Sequence, residues 1–85
     1  MATDKKYDAL VKKYSEQITF FGENVKIYRQ RRKLTQKELA EECNLDVRTI
    51  QRIENGQITV KLPVIFVLAE ALKIQLNSLF KDINL

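Results

Sequence analysis

Histidine is absent from this 85-residue chain, and cysteine and proline each occur once. Without His there is no histidine base, no imidazole metal ligand and no His-centred triad. A lone Cys, Cys43, can form neither an internal disulfide nor a Cys-based zinc site. Two Gly and one Pro are few turn-formers for a β-rich chain of this size, so an all-α bundle is expected. The longest apolar run, Leu62 to Ala69, is far short of the ~20 residues that cross a bilayer. The opening MATDKK has no apolar stretch of the kind a signal peptide needs. These absences point to a soluble, cytoplasmic protein in a reducing setting, with no cofactor, metal or membrane partner.

What is present is an ordinary globular balance, 45% hydrophobic and 31% charged. One small domain is expected, and a core this small gains from dimerisation. The net charge of +4 is unevenly placed. Residues 26–61 carry nine Lys and Arg against five Asp and Glu, and the remainder carries six of each. A basic field confined to one segment suits a polyanion partner; the alternative is a solvated surface with no partner.

The helical spacing of Tyr7, Leu10, Val11, Tyr14 and Ile18 predicts an N-terminal helix, capped by Thr3 or Asp4, with Lys5, Lys6, Lys12, Lys13 and Glu16 on its outer face. A second helix is expected from about Phe20 to Arg32, with Thr19 as its cap and Phe21, Val25 and Tyr28 inward. Arg29, Arg31, Arg32 and Lys33 at its end suit the negative pole of the helix dipole.

Thr35-Gln36-Lys37-Glu38 has the form of a capping box, which starts a short helix at Gln36. Leu39, Ala40 and Cys43 form its inner face. Asn44 tolerates the left-handed conformation and can end it sharply. Leu45 turns inward and Asp46 caps a helix over Val47–Glu54, with Ile50 and Ile53 inside and Asn55-Gly56 as its stop. Ala40 is small enough for that second helix to cross close by. Outward lie Val47, Arg48, Thr49, Gln51, Arg52 and Asn55. Residues 57–61 read as a loop. Pro63 fits the first turn of a helix reaching about Leu72, and a last short helix from Gln75 or Asn77 runs through Phe80.

The stretch TQKELAEECNLDVRTIQRIENG resembles the helix-turn-helix of the lambda-repressor and Cro-like (Xre) family. FGENVKIYRQRRKLTQ resembles the family's first helix, and LAEALKIQLNSLF its fourth and fifth. The likeness spans Phe21 to Phe80. It implies a five-helix lambda-repressor-like DNA-binding domain over 21–80, preceded by an extra helical extension, 1–20, and followed by a tail, 81–85. Asn44, Lys33 and Lys73 stand where the family often has Gly, and Val60 where its loop usually has Pro.

The resemblance implies that Val47–Glu54 enters the major groove of double-stranded DNA, with base contacts from positions matching Val47, Arg48 and Arg52. The chemistry agrees. Arg48 and Arg52 are four apart and project from one helix face. Arg can donate twice to guanine O6 and N7, Gln51 can pair with adenine, and Val47 or the Thr49 methyl can meet a thymine methyl. Backbone contacts position without reading sequence. Gln36 sits where helix N-terminal amides favour a phosphate, and the family places phosphates at the Gln matching Gln36 and the Asn matching Asn55. Thr49, Arg31, Arg32, Lys33 and Lys37 are further candidate phosphate ligands. For Arg29 and Glu54 the resemblance implies a partly buried structural salt bridge. For Cys43 it implies a core position rather than a redox sensor.

The family pattern puts Leu62, Ile65, Phe66, Leu68, Ala69 and Leu72 in the core. Val60, Val64, Val67 and Ala71 then form an extra apolar stripe, and exposed stripes mark interfaces. A symmetric homodimer through this stripe is expected, reading a palindromic site. The alternative is that the N-terminal helix covers the stripe and leaves a monomer. The functional expectation is a sequence-specific, nucleoid-associated transcription regulator such as a repressor. The competing one is a protein-interaction module that docks a partner protein, against which the local charge and paired arginines argue. An enzyme is a distant third, because no nucleophile–base pair or phosphate loop is visible.

Overall fold

The chain folds from five α-helices and one 3₁₀ helix, with no strand among the described residues, 4–85 of this computed structural model. The helices are α1 (Lys5–Lys13), α2 (Ser15–Arg31), α3 (Gln36–Cys43), α4 (Val47–Glu54) and α5 (Leu62–Leu72), and the 3₁₀ helix is Leu76–Phe80. Helices α2 to α5 and the 3₁₀ helix make the five of the expected domain, and α1 is the extension.

Local chemistry accounts for most of the boundaries. The Asp4 carboxylate accepts from the Lys6 N–H and starts α1; Thr3, the other candidate cap, lies outside the described residues. The capping box at α3 is complete: Thr35 Oγ1 accepts from the Glu38 N–H at 3.0 Å, and Glu38 Oε1 accepts from the Thr35 N–H at 2.8 Å. That backbone N–H holds the Glu38 carboxyl below its usual range. Asp46 caps α4 through the Arg48 N–H, and Pro63 lies in the first turn of α5.

With two glycines available, helix ends are closed by other residues. Lys33, Asn44 and Lys73 all take left-handed backbone, with φ of 59°, 55° and 58°. After each, the next amide reaches back five residues along the chain, Leu34 to Arg29, Leu45 to Ala40 and Ile74 to Ala69. This is the closure that glycine usually serves. A non-Gly residue here costs roughly 1–2 kcal/mol of backbone strain at each lysine and less at Asn44.

Two expectations are corrected. There is no helix start at Phe20. The turn falls at Tyr14 (φ −106°, ψ 23°), and α2 then runs unbroken from Ser15 through Thr19 and Phe21, so a division at residue 20 cuts a continuous helix. Thr19 is not a cap because the i→i−4 ladder already passes through it. Residues 81–85 are not a loose tail either. Asn24 Nδ2 donates to the carbonyls of Leu79 and Lys81, Gln17 Nε2 donates to that of Asn84, and Ile83 packs against the core.

The core gathers Phe21 and Val25 of α2, Leu39, Ala40 and Cys43 of α3, Ile50 and Ile53 of α4, Leu68, Ala69 and Leu72 of α5, and Leu79. Leu45 is half-buried against it. Two members expected in this core stay out of it: Leu62 is 64% exposed and Phe66 53%. Conversely, Val60, Val64, Val67 and Ala71 are half-buried and lean on the core. Helix α5 is therefore rotated relative to the expectation. Helix α5 packs on α3, the 3₁₀ helix and α2, and these meet only after folding.

Candidate nucleic-acid interface

Helix α4 is too short to hold its own direction; isolated helices under ~12 residues are marginal in water. Its position is set from behind. Arg29 of α2 donates from Nε to Glu54 Oε2 at 2.6 Å and from Nη2 to Oε1 at 3.0 Å, and its Nη1 donates to the Leu34 carbonyl at 2.7 Å. The Glu54 side chain is 1% exposed. Gln36 completes the cluster, its Nε2 donating to Glu54 Oε1 at 3.0 Å. Both carboxylate oxygens are satisfied, and α2, α3 and α4 are tied at one point.

Gly22 sets the depth of α4. A Cβ there would lie 2.0 Å from the Ile53 carbonyl oxygen, so only glycine lets α2 cross the α4 backbone at this distance. Gly56, in left-handed backbone at φ 68°, closes α4 against Thr19, whose Oγ1 would lie 2.7 Å from an added Cβ. Sequence reasoning missed Gly22; an isolated Gly inside an apolar helical pattern was the available signal.

The opposite face of α4 is open. Arg48, Gln51, Arg52 and Asn55 are exposed, and Val47 and Thr49 are half-buried. Among the described residues the salt bridges are Arg29–Glu54 and Arg32–Glu42. Neither the Arg48 nor the Arg52 guanidinium is tied by a carboxylate. Val47 leans on the core as well as facing outward.

At the start of α3 the amides of Gln36 and Lys37 have no intrahelical acceptor by geometry, while the Glu38 amide is occupied by Thr35. Lys33 and Lys37 are exposed, and the Arg31 guanidinium lies 5.1 Å from the centre of the Tyr28 ring. These groups border the same edge as the α3 N-terminus. Arg32 differs from the expectation. Its Nη1 donates to the Ala71 carbonyl at 2.5 Å and to Glu42 Oε1 at 3.0 Å, with the side chain 26% exposed. It staples α2 to α3 and α5, and its charge is already consumed. Cys43 is buried, its thiol directed at the Val67 carbonyl, and burial pushes its pKa up to about 11.

Two shallow hollows of about 270 and 290 Å³ adjoin where the 56–60 loop meets α1 and α2, sharing Ile18, Ile58 and Thr59. No grouping of three or more His, Cys, Asp or Glu able to hold a metal occurs among the described residues. No helix there is long and apolar enough to cross a membrane.

A helix pair held from inside by buried polar contacts, with cations on its outer face, defines a helix-turn-helix protein of the lambda-repressor-like (Xre) class of DNA-binding transcription regulators. The helix-turn-helix family model matches residues 25–79, and the chain belongs to that family. Among solved structures, it is similar to the restriction-modification controller protein C.AhdI from Aeromonas hydrophila. The two are 35% identical with a TM-score of 0.72, over 74% of this chain and 96% of that one. No curated protein matches the chain.

Proposed function

We propose that this protein regulates transcription by laying α4 in the major groove of a specific double-stranded DNA site, as a symmetric dimer on a palindrome. The observation that carries the reading is the contrast across α4. Its inner carboxylate is locked by Arg29 and Gln36, while Arg48 and Arg52 stand outward without a partner. A rigid rod offering two guanidinium groups suits guanine edges, with Gln51 and Val47 as further base contacts. Asn55, Thr49, Lys33, Lys37 and Arg31 serve the phosphates, with Gln36 acting through its backbone N–H because its side-chain amide is held by Glu54. Arg32 is left out of that set, because its charge is paired with Glu42 and its Nη1 is held by Glu42 and the Ala71 carbonyl.

The dimer surface shifts with the rotation of α5. The side chains that offer apolar area are Leu62 and Phe66, with Val60 at their edge; Val64, Val67 and Ala71 contribute what the core leaves exposed. A two-fold dimer sets its recognition helices ~34 Å apart. The likeness to C.AhdI supports a controller role among the kinds of regulator this fold serves.

Selection from random oligonucleotides tests the whole reading. The expected product is an inverted repeat with guanines in each half. Recovery of a single unrepeated half-site would remove the dimer. No enrichment even at low salt would remove DNA binding and favour a protein-interaction module.

A further inference from the structure

Helix α1 lies wholly outside the family match, and it is an energetic oddity. It is nine residues long and well capped, yet none of its residues is buried. Helices this short draw their stability from packing an amphipathic face. The apolar face exists, but it is poorly covered: Val11 and Tyr14 are half-buried, while Tyr7 is 48% exposed and Leu10 51%.

Where α1 docks is informative. Tyr7 Oη donates to Thr59 Oγ1 at 2.8 Å, and Tyr7 and Val11 line a hollow with Gly56, Gln57 and Ile58. Thr59 is three residues before Leu62, so the two are at most about 10 Å apart along the chain. The hollow beneath α1 also adjoins one that reaches Val60 and Ile65, so apolar surface runs from α1 along the 56–60 loop to the start of α5, where Leu62 and Phe66 are uncovered. Area points the same way. A stable dimer buries roughly 800 Å² per copy, whereas two side chains as exposed as Leu62 and Phe66 supply roughly 250 Å².

We propose that α1 is a dimerisation arm whose Tyr7–Leu10 face joins Leu62 and Phe66 in one surface, occupied by the same surface of a second copy. The inference rests on the dimer reading above and goes beyond it by assigning a partner to the extension. The arm folds stably when the second copy covers it. A two-fold contact of this kind is self-complementary. Association of two copies therefore orders both arms and tightens the loop that follows each recognition helix.

Sedimentation equilibrium on the full chain, with Phe66→Glu, Leu10→Glu and Leu10→Gln, tests this. Phe66→Glu is expected to abolish dimerisation. Leu10→Glu is expected to raise the dimer Kd at least about tenfold and Leu10→Gln by less, with unchanged circular dichroism melts at concentrations where the parent is monomeric, because Leu10 is half exposed. Hydrogen exchange should show the α1 amides protected in proportion to the dimer population, and the α3 and α4 amides indifferent to it. If Leu10→Glu and Leu10→Gln dimerise like the parent while Phe66→Glu does not, the arm is refuted and the α5 dimer stands. A parent chain that stays monomeric at high micromolar concentration refutes both.

Discussion

Of the five arginines, four divide between α2 with its C-cap and α4, and their fates are opposite. Arg29 and Arg32 leave α2 and turn inward, one to Glu54 and Leu34, the other to Glu42 and Ala71. Arg48 and Arg52 leave α4 and meet no carboxylate. The same side chain is scaffold in one helix and candidate reader in the other. A guanidinium already paired with a carboxylate has less to gain from a phosphate or a base. One in water gives up only its hydration when DNA arrives.

The largest effect expected from breaking this contrast is on the inner pair. Glu54→Ala should cost about 3–5 kcal/mol, because it leaves Arg29 buried without its partner. Urea denaturation would show it, and DNA binding should vanish with the fold. Replacing Arg29 and Glu54 together by Met and Leu should restore much of the stability. Failure of that double variant to recover would mean that the pair also orients α4 in a way apolar packing cannot.

Gly22→Ala comes next. Its methyl cannot fit against the Ile53 carbonyl, so α4 must shift, at about 1–3 kcal/mol. The loss of DNA affinity should exceed what the fall in melting temperature explains.

On the outer face the sign of the test reverses. Arg48→Ala or Arg52→Ala should leave stability within about 0.5 kcal/mol. Each should relax base preference at one position per half-site by ~1–3 kcal/mol. If either variant weakens every sequence equally, that arginine binds phosphate and does not read bases. Lys33→Gly sharpens the point with opposed outcomes. Relief of the left-handed backbone should raise the urea midpoint. Loss of the charge should weaken all DNA alike and flatten the log K against log salt slope by ~0.9.

The smallest expected effect belongs to Cys43. Its thiol is raised from 9.0 to about 11 by burial, with the neighbouring Glu42 charge adding to it. The stability this represents is complete below 9 and is lost as pH climbs through 11, since the unfolded thiol ionises first. Urea midpoints measured across that interval should fall in the parent and fall less in Cys43→Ala.

Legibility in the sequence followed the range of the interaction. The cap at Asp4, the box at Thr35 and Glu38, the turn at Asn44 and the cap at Asp46 each rest on hydrogen bonds spanning a few residues, and each was readable as a spacing. Arg29–Glu54 became readable by resemblance to a family, since a separation of 25 residues hides it from local reasoning. Arg32 was misjudged because the Ala71 carbonyl that captures it lies 39 residues away. The face of α5 was misjudged for a related reason. On a helix apolar nearly all round, periodicity does not say which side is inward.

By itself, then, the sequence determined where α3, α4 and α5 start and stop, that the fold is all-α, and that positive charge gathers around the turn between two short helices. Those properties depend on side chains meeting their own near neighbours. Tertiary structure decided which arginines are consumed and which are offered, that Gly22 sets the seating of α4, and that Leu62 and Phe66 rather than the valines of α5 face water. Burial and partnership are properties of surfaces brought together from distant parts of the chain, and they do not exist until it has folded.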